Sequence, residues 1–151
     1  MGRRDNVEIF EDTRRLYSSN ERLISAIKHS AAEQECFKGT GRYWYGRGNR
    51  IYQKPAKVVV SPKRTLEAAA PCAYAGKKVC VLNFASATNP GGGVIKGSSA
   101  QEEAICRCST LYPNLKEQQM WNQFYVPHRR AHDPVHNDDC IYTPGVVGIK
   151  S

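Results

Sequence analysis

One stretch of sequence decides the fold, Val79 to Leu115, which is VCVLNFASATNPGGGVIKGSSAQEEAICRCSTLYPNL. Its apolar start, Val79 to Leu82, lacks clean alternation, which is typical of a strand covered on both faces in a parallel sheet. Three consecutive glycines, Gly91 to Gly93, follow a small-residue turn, and a seven-residue spacer then leads to Gln101-Glu102-Glu103. Ligands of α/β sheets bind beyond the carboxyl ends of the strands. The stretch therefore predicts a ligand site made of a glycine loop and an acidic helix start.

The segments on either side of this stretch predict an α/β protein, because helical and strand patterns occur before and after it. Helices are predicted over Asp5–Tyr17 and from Asn20, which can cap the second one. Residues 1–40 therefore form a helical extension. The remaining predicted elements are a β-hairpin over Gly41–Gln53, strands at Lys57–Ser61, Val79–Phe84 and Ile141–Tyr142, and helices over Pro62–Ala75, Gln101–Leu111 (ended by Pro113) and Lys116–Tyr125.

Length and composition indicate one globular domain of 151 residues, with 40% hydrophobic and 24% charged residues. No apolar run approaches the roughly 20 residues of a membrane helix, and the first residues lack a signal-peptide core. We therefore predict an intracellular, cytoplasmic protein whose six cysteines are free thiols rather than disulfides. The net charge of +8 fits either ordinary solubility or attraction to a polyanion, and charge alone does not separate the two.

The glycine loop favours contact with a phosphate or a sugar. Glycines at three successive positions remove every Cβ, so backbone N–H groups can approach a ligand closely. The helix start just downstream adds partial positive charge. The alternative is a tight turn with no ligand.

The acidic pair favours acid–base chemistry with unequal roles. Neighbouring residues on a helix point about 100° apart, so Glu102 and Glu103 are poorly placed to flank one glycosidic bond symmetrically. We expect one carboxyl group to act as the acid/base and the other to position a sugar hydroxyl. Burial in a cleft and the adjacent like charge would raise a carboxyl pKa and permit proton donation. The alternative is an ordinary exposed first turn, where acidic residues are common.

Taken together, NFASATNPGGG, the spacer, QEE and AICRCSTLYPNL resemble the signature of the microbial-type poly(ADP-ribose) glycohydrolase family. FYVPHR (Phe124 to Arg129) and CIYTPGV (Cys140 to Val146) are similar to further family segments. The resemblance covers about residues 11–150. It implies one catalytic domain over 1–151, with a macrodomain-like three-layer α/β fold and an N-terminal helical extension. Family members continue further, so it also implies that the C-terminal part of the sheet is missing.

The resemblance implies hydrolysis of the ribose–ribose O-glycosidic bonds of poly(ADP-ribose). By carry-over from the family motif, Glu103 is the acid/base, while Glu102 and Asn89 hold ribose hydroxyls. Gly91, Gly92 and Gly93 wrap the diphosphate and distal ribose, and Gln101 orders the loop. No cofactor and no metal are implied. The implied partners are poly(ADP-ribose) or ADP-ribosylated proteins, in the response to DNA damage, without a membrane or direct nucleic-acid binding.

Three alternatives stay open beside this one. The chain could be an ADP-ribose-binding module with weak or no activity. It could bind nucleic acid through the aromatic and basic residues of the predicted hairpin. A zinc site at His128, His132, His136 and Cys140 has suitable residue types, but Pro134 would break the helix that aligns them. An unpaired sheet edge would also favour self-association.

Overall fold

The computed structural model describes residues 2–39, 54–133, 135 and 137–150, and the predicted hairpin over Gly41–Gln53 lies outside them. In the described residues the α-helices are α1 Arg3–Ser19, α2 Glu21–Ala32, α3 Thr65–Tyr74, α4 Gln101–Cys108, α5 Leu111–Leu115, α6 Gln118–Met120 and α7 Val126–Ala131. A 3₁₀ turn covers Val94–Lys96, and a π-helical segment covers Trp121–Tyr125. The strands are β1 Glu35–Phe37 and β2 Cys140–Tyr142.

The two N-terminal helices confirm the prediction for this part of the chain. The Asn20 side chain caps α2, since its Oδ1 accepts hydrogen bonds from the backbone N–H groups of Arg22 (3.0 Å) and Leu23 (3.2 Å). Helix α1 packs against α4, where the Thr13 hydroxyl donates to the Arg107 carbonyl at 2.6 Å. The helical extension thus lies directly behind the helix that begins with the acidic pair.

The predicted helix over Gln101–Leu111 is wrong in its extent. Helix α4 ends at Cys108, because Ser109 adopts an extended conformation and donates its hydroxyl back to the Ile105 carbonyl. Pro113 does not end a helix; it lies in the first turn of α5, where a missing N–H costs nothing. From Gln118 to Ala131 the helical backbone is continuous through the π-helical segment.

The strand predictions succeed only in part. Strand β2 confirms Ile141–Tyr142, and it pairs antiparallel with β1, with Cys36 opposite Ile141. The strands predicted at Lys57–Ser61 and Val79–Phe84 are wrong, since neither range forms a strand. A strand needs a neighbour to take up its N–H and C=O groups, and in the described residues no other strand lies beside either range.

Within the part of the chain that the structure describes, the core consists of two clusters that share Ile141 as a partly buried neighbour. The larger one contains Phe10, Val94, Ile105, Cys106, Leu111, Tyr112 and Leu115. The smaller one contains Met120, Phe124 and Tyr125. Because Val94 and Ile105 flank the glycine loop and the acidic pair in sequence, the larger cluster fixes both parts of the predicted site on one side of the molecule.

Candidate active site

The glycine loop turns tightly against the start of α4. Gly91 (φ +71°) and Gly92 (φ +56°) are in the left-handed region that favours glycine, and the Gly92 N–H closes the turn on the Asn89 carbonyl at 2.9 Å. A Cβ on Gly92 would lie 2.5 Å from Glu103 Oε1 and 3.3 Å from Glu102 Oε2. Both carboxylates therefore lie directly against the glycine loop.

The two glutamates make different contacts with this loop. Glu102 uses both oxygens: Oε2 accepts from the Ser86 N–H at 2.8 Å and Oε1 from the Gly91 N–H at 3.2 Å. Glu103 uses one, since its Oε1 accepts from the Gly93 N–H at 2.9 Å. Within the described residues Oε2 of Glu103 has no hydrogen-bond partner. The expected inequality of the two carboxylates is thus present in their hydrogen bonds.

Both carboxylates are buried, Glu102 with 3% and Glu103 with 7% of its surface exposed. Burial raises the pKa of Glu102, and the negative charge of Glu103 raises it further. The N–H groups of Ser86 and Gly91 act in the opposite direction without cancelling the effect of burial. The α4 start is therefore not an ordinary solvated acidic turn.

Gln101 connects the helix start to the segment that was predicted as a strand. Its Oε1 accepts from the Phe84 N–H at 2.7 Å, and its Nε2 donates to the Leu82 carbonyl at 2.9 Å. Nε2 also lies 3.1 Å from the Thr65 hydroxyl on α3. One amide side chain thus holds the segment before the glycine loop by the two backbone groups that a neighbouring strand would use.

Asn89 lies at the start of the loop, and its side chain contacts a residue of α7. Its Oδ1 accepts from Arg129 Nη2 at 2.7 Å, while Arg129 Nε donates to the Thr88 carbonyl at 2.7 Å. The guanidinium also lies over the Trp121 ring, 4.7 Å from its centroid. The structure therefore brings Asn89, Gly91–Gly93 and Gln101–Glu103 together at one place.

The sequence of this chain is also similar to that of a known protein family. The family model described as microbial-type PARG, catalytic domain, matches residues 4–151. The chain belongs to the microbial-type poly(ADP-ribose) glycohydrolase family. A search of curated protein sequences found no match.

Solved structures of bacterial poly(ADP-ribose) glycohydrolase share the fold. The crystal structure of the enzyme from Thermomonospora curvata is 30% identical, with a TM-score of 0.82, and the match covers 95% of this chain and 56% of that one. A second structure from the same organism, bound to the inhibitor ADP-HPD, is 29% identical with a TM-score of 0.77 and covers 95% and 54%. The chain is thus a macrodomain-like α/β protein that spans about half the length of these relatives.

The geometry of the glycine loop differs from the sequence prediction in how the glycine N–H groups are used. The sequence predicts that the N–H groups of Gly91–Gly93 can approach a phosphate or a sugar closely. In the structure all three donate to protein acceptors, namely Glu102, the Asn89 carbonyl and Glu103. A Cβ would be too close to the Tyr112 ring at Gly91 (2.6 Å), to Glu103 Oε1 at Gly92 (2.5 Å) and to Ser98 Oγ at Gly93, so the glycines are required here for close packing of the loop against its neighbours.

Several residues that hold this site in place were not predicted from the sequence. Ser86 donates its N–H to Glu102 and accepts at Oγ from the Asn89 N–H at 3.1 Å. The Tyr112 ring packs against Gly91, so that a Cβ on Gly91 would lie 2.6 Å from that ring. Arg129 belongs to the FYVPHR segment, so the resemblance contained it without indicating its role. The contacts of Tyr112 and Arg129 join segments that are distant along the chain, and such contacts have no local sequence pattern. The contact of Ser86 with the Asn89 N–H spans three residues, and a serine in a polar turn is the local signal for it.

The structure does not bring the residues of the alternative zinc site together in the part of the chain that it describes. His136 lies outside the described residues, and His128 is buried with its ring nitrogens 2.7 Å from the Phe124 carbonyl and 3.0 Å from Asn137 Oδ1. In the described ranges no group of three or more His, Cys, Asp or Glu residues could hold a metal ion.

No helix in these ranges is both long enough and apolar enough to cross a membrane.

Proposed function

We propose that this chain hydrolyses the ribose–ribose O-glycosidic bonds of poly(ADP-ribose), releasing ADP-ribose, with Glu103 as the general acid/base. The observation that carries the proposal is the arrangement of Glu103. Gly93 fixes one of its carboxylate oxygens, while the other has no hydrogen bond within the described residues. A carboxyl group held in this way can exchange a proton with a substrate. Family membership supports the substrate class.

The chemistry needs one carboxyl group in two protonation states. Protonated Glu103 donates its proton to the leaving ribose oxygen as the glycosidic C–O bond breaks and positive charge develops at the anomeric carbon. The resulting carboxylate then takes a proton from water, whose oxygen adds to that carbon. Glu103 ends protonated, as it began, and no cofactor or metal is consumed.

We propose different tasks for the neighbouring residues. Glu102, whose two oxygens are fixed by Ser86 and Gly91, would accept hydrogen bonds from ribose hydroxyls with its remaining lone pairs. Asn89 would bind the ribose from the loop start, and Gly91–Gly93 would let the diphosphate and distal ribose approach without a Cβ in the way. Gln101 would hold the loop in place through Leu82 and Phe84.

The test is release of ADP-ribose from labelled poly(ADP-ribose) by the wild type and by Glu103→Gln. We expect Glu103→Gln to lower the rate by about 10²- to 10⁴-fold, the usual contribution of a general acid/base. Glu8→Gln, an exposed glutamate on α1, is the control and should leave the rate unchanged. An active Glu103→Gln variant would overturn the assignment of the acid/base.

A second candidate is an ADP-ribose-binding module without activity. It is supported by the similarity to a solved structure that is bound to the inhibitor ADP-HPD. Binding of such a ligand does not by itself require cleavage, because much of an enzyme's rate depends on how the substrate is held for the reaction. No release, together with ADP-ribose binding that ADP-HPD displaces, would favour the module. Loss of both ADP-ribose release and ADP-ribose binding would exclude the glycohydrolase and the binding module.

We further propose that residues 1–151 act as one catalytic domain with 1–40 as its helical extension, and that the protein acts inside the cell. All six cysteines are free thiols, which supports a reducing compartment.

The proposed partners are poly(ADP-ribose) or ADP-ribosylated proteins, without direct nucleic-acid binding. Self-association is proposed through the unpaired segments around residues 57–60 and 79–84, where Val60 is 92% and Phe84 74% exposed.

A further inference from the structure

The side chain of Arg129, which lies outside the central stretch, contacts two groups at the start of the glycine loop. It donates to the Thr88 carbonyl and to Asn89 Oδ1, each at 2.7 Å. These are the last two residues before Pro90 and the three glycines. A guanidinium presents its donors in a rigid planar fork, so two such bonds fix the orientation of the loop start relative to α7.

The Arg129 guanidinium is also held in place by an aromatic ring. It lies over the Trp121 ring at 4.7 Å, and Trp121 stacks on the fully buried Tyr125, with ring centroids 6.1 Å apart. Tyr125 in turn packs edge-on against Phe124 at 5.1 Å. Arg129 is exposed to solvent, yet it is fixed by two hydrogen bonds and an aromatic face.

The contact also decides which end of the Asn89 amide is presented to a ligand. Arginine has donors only, so the amide oxygen must face Arg129. The Asn89 NH₂ group then points away from Arg129, and within the described residues it has no hydrogen-bond partner. Asn89 can therefore offer a ligand hydrogen-bond donors but little further acceptor capacity.

We propose that Arg129 is a positioning residue that anchors the start of the glycine loop and fixes the Asn89 amide with its NH₂ group toward the ligand. The ligand atom opposite Asn89 is then an acceptor oxygen of the ribose or the diphosphate. This rests on the proposed function only for the identity of the ligand. The anchoring of the loop stands on the structure and is measurable without any ligand.

The ligand-independent measurement is amide hydrogen exchange over residues 85–95. The N–H groups of Gly91, Gly92 and Gly93 are all hydrogen-bonded, so their exchange reports on loop opening. Arg129→Ala should speed their exchange about tenfold. Arg130→Ala is the matched control, because Arg130 is the adjacent exposed arginine, without a hydrogen bond or ion pair to the described residues, and it should change exchange less than about twofold. Equal exchange in Arg129→Ala and wild type would overturn the anchoring.

The second measurement is the Kd for ADP-ribose by calorimetry. Arg129→Ala should weaken binding about tenfold, the factor for losing a charge-assisted hydrogen bond. If Arg129 acts through Asn89, adding Arg129→Ala to Asn89→Ala should cost less than about twofold more. A full additional loss in the double variant would overturn the proposed route through Asn89.

Asn89→Asp separates anchoring from ligand contact. The new carboxylate can still accept from Arg129, so exchange in the loop should stay at the wild-type rate. It replaces the NH₂ donors with an acceptor, so ADP-ribose binding should weaken by about tenfold or more. Unchanged binding would overturn the donor role of Asn89. If the wild type fails to bind ADP-ribose, the proposed function and the ligand role of Asn89 both fail, while the exchange rates still decide whether Arg129 anchors the loop.

Discussion

At the scale of single residues, Gly92 is where the loop and the acidic pair come closest. A Cβ there would lie 2.5 Å from Glu103 Oε1 and 3.0 Å from its Cδ, and φ is +56°. We predict that Gly92→Ala lowers the free energy of unfolding by about 2–5 kcal/mol, from left-handed strain and overpacking together. It should also abolish ADP-ribose release, since Glu103 must move. Urea unfolding and the release assay measure the two effects.

Gly76 provides the matched control for Gly92. Its φ is +72°, but nothing lies within 4 Å of the position of its Cβ. Gly76→Ala should therefore cost only the left-handed strain, about 1–2 kcal/mol, and leave activity unchanged. Equal losses in the two variants would mean that contact with Glu103 contributes nothing.

The carboxyl groups of Glu102 and Asp139 should give opposite pH dependences of stability. Burial raises the pKa of Glu102, so the folded state holds its proton more tightly than the unfolded state, where the pKa is near 4.5. Wild-type stability relative to Glu102→Gln should then fall as the pH rises from 4.5 through the folded pKa. Urea unfolding of both proteins between about pH 3 and 7 measures this difference.

For Asp139, burial raises the pKa, but hydrogen bonds from the Gly39 N–H and the Lys38 ammonium outweigh it and leave the pKa below its usual value of 3.8. Its contribution should be fully present above 3.8 and lost as the pH falls through the folded pKa. Stability relative to Asp139→Asn therefore falls with acid, opposite to Glu102. The same sign for both would contradict the assigned environments.

How far the sequence predicts the site depends on distance along the chain. Gly91–Gly93 and Gln101–Glu103 are separated by one short spacer, and their proximity followed from the motif. The hydrogen-bond partners of the glycine N–H groups did not follow from the motif, because they depend on how the spacer folds back. Arg129 reaches Asn89 from 40 residues away in sequence, and such a contact is created only by packing of α7.

At the scale of elements, the contact between α1 and α4 should depend on the buried Thr13. Thr13→Val keeps the shape but removes the donor at 2.6 Å from the Arg107 carbonyl. We predict a loss of about 1–3 kcal/mol, because a buried carbonyl loses its partner. Thr13→Ser keeps the hydroxyl and should lose less. A larger loss in Thr13→Ser than in Thr13→Val, measured by urea unfolding, would show that methyl packing dominates instead.

The helices were predictable because their stabilising patterns are local. The apolar face of α1 and the Asn20 cap are both within a few residues of the helices that they define. Two of the three strands predicted outside the hairpin, Lys57–Ser61 and Val79–Phe84, did not form, because a strand is stabilised by its neighbour. Val79–Phe84 has the composition of a buried strand, but the described residues supply no strand to pair with it, and Gln101 takes two of its backbone groups instead.

At the scale of the whole molecule, the unpaired segments at residues 57–60 and 79–84 expose several large apolar side chains. Val58 and Val60 are 84% and 92% exposed, and Leu82 and Phe84 are also exposed. Exposed apolar side chains and unpaired backbone groups favour pairing with another chain, and burying such surface contributes about 25 cal/mol per Å². A second copy carries the same exposed segments, so two copies can cover each other.

We therefore predict concentration-dependent association, measured by size-exclusion chromatography with light scattering between about 5 and 200 µM, a range that spans the micromolar affinities of weak interfaces. Val60→Glu should shift the protein toward monomer, because an ionised carboxylate does not tolerate burial in such an interface. Val135→Glu, at a 79% exposed valine between α7 and β2, should not. A wild type that stays monomeric throughout, or an equal effect of both substitutions, would show that these segments do not pair with those of a second copy. They would then need a partner with a different surface, and ADP-ribose binding by the monomer would show that the site forms without one.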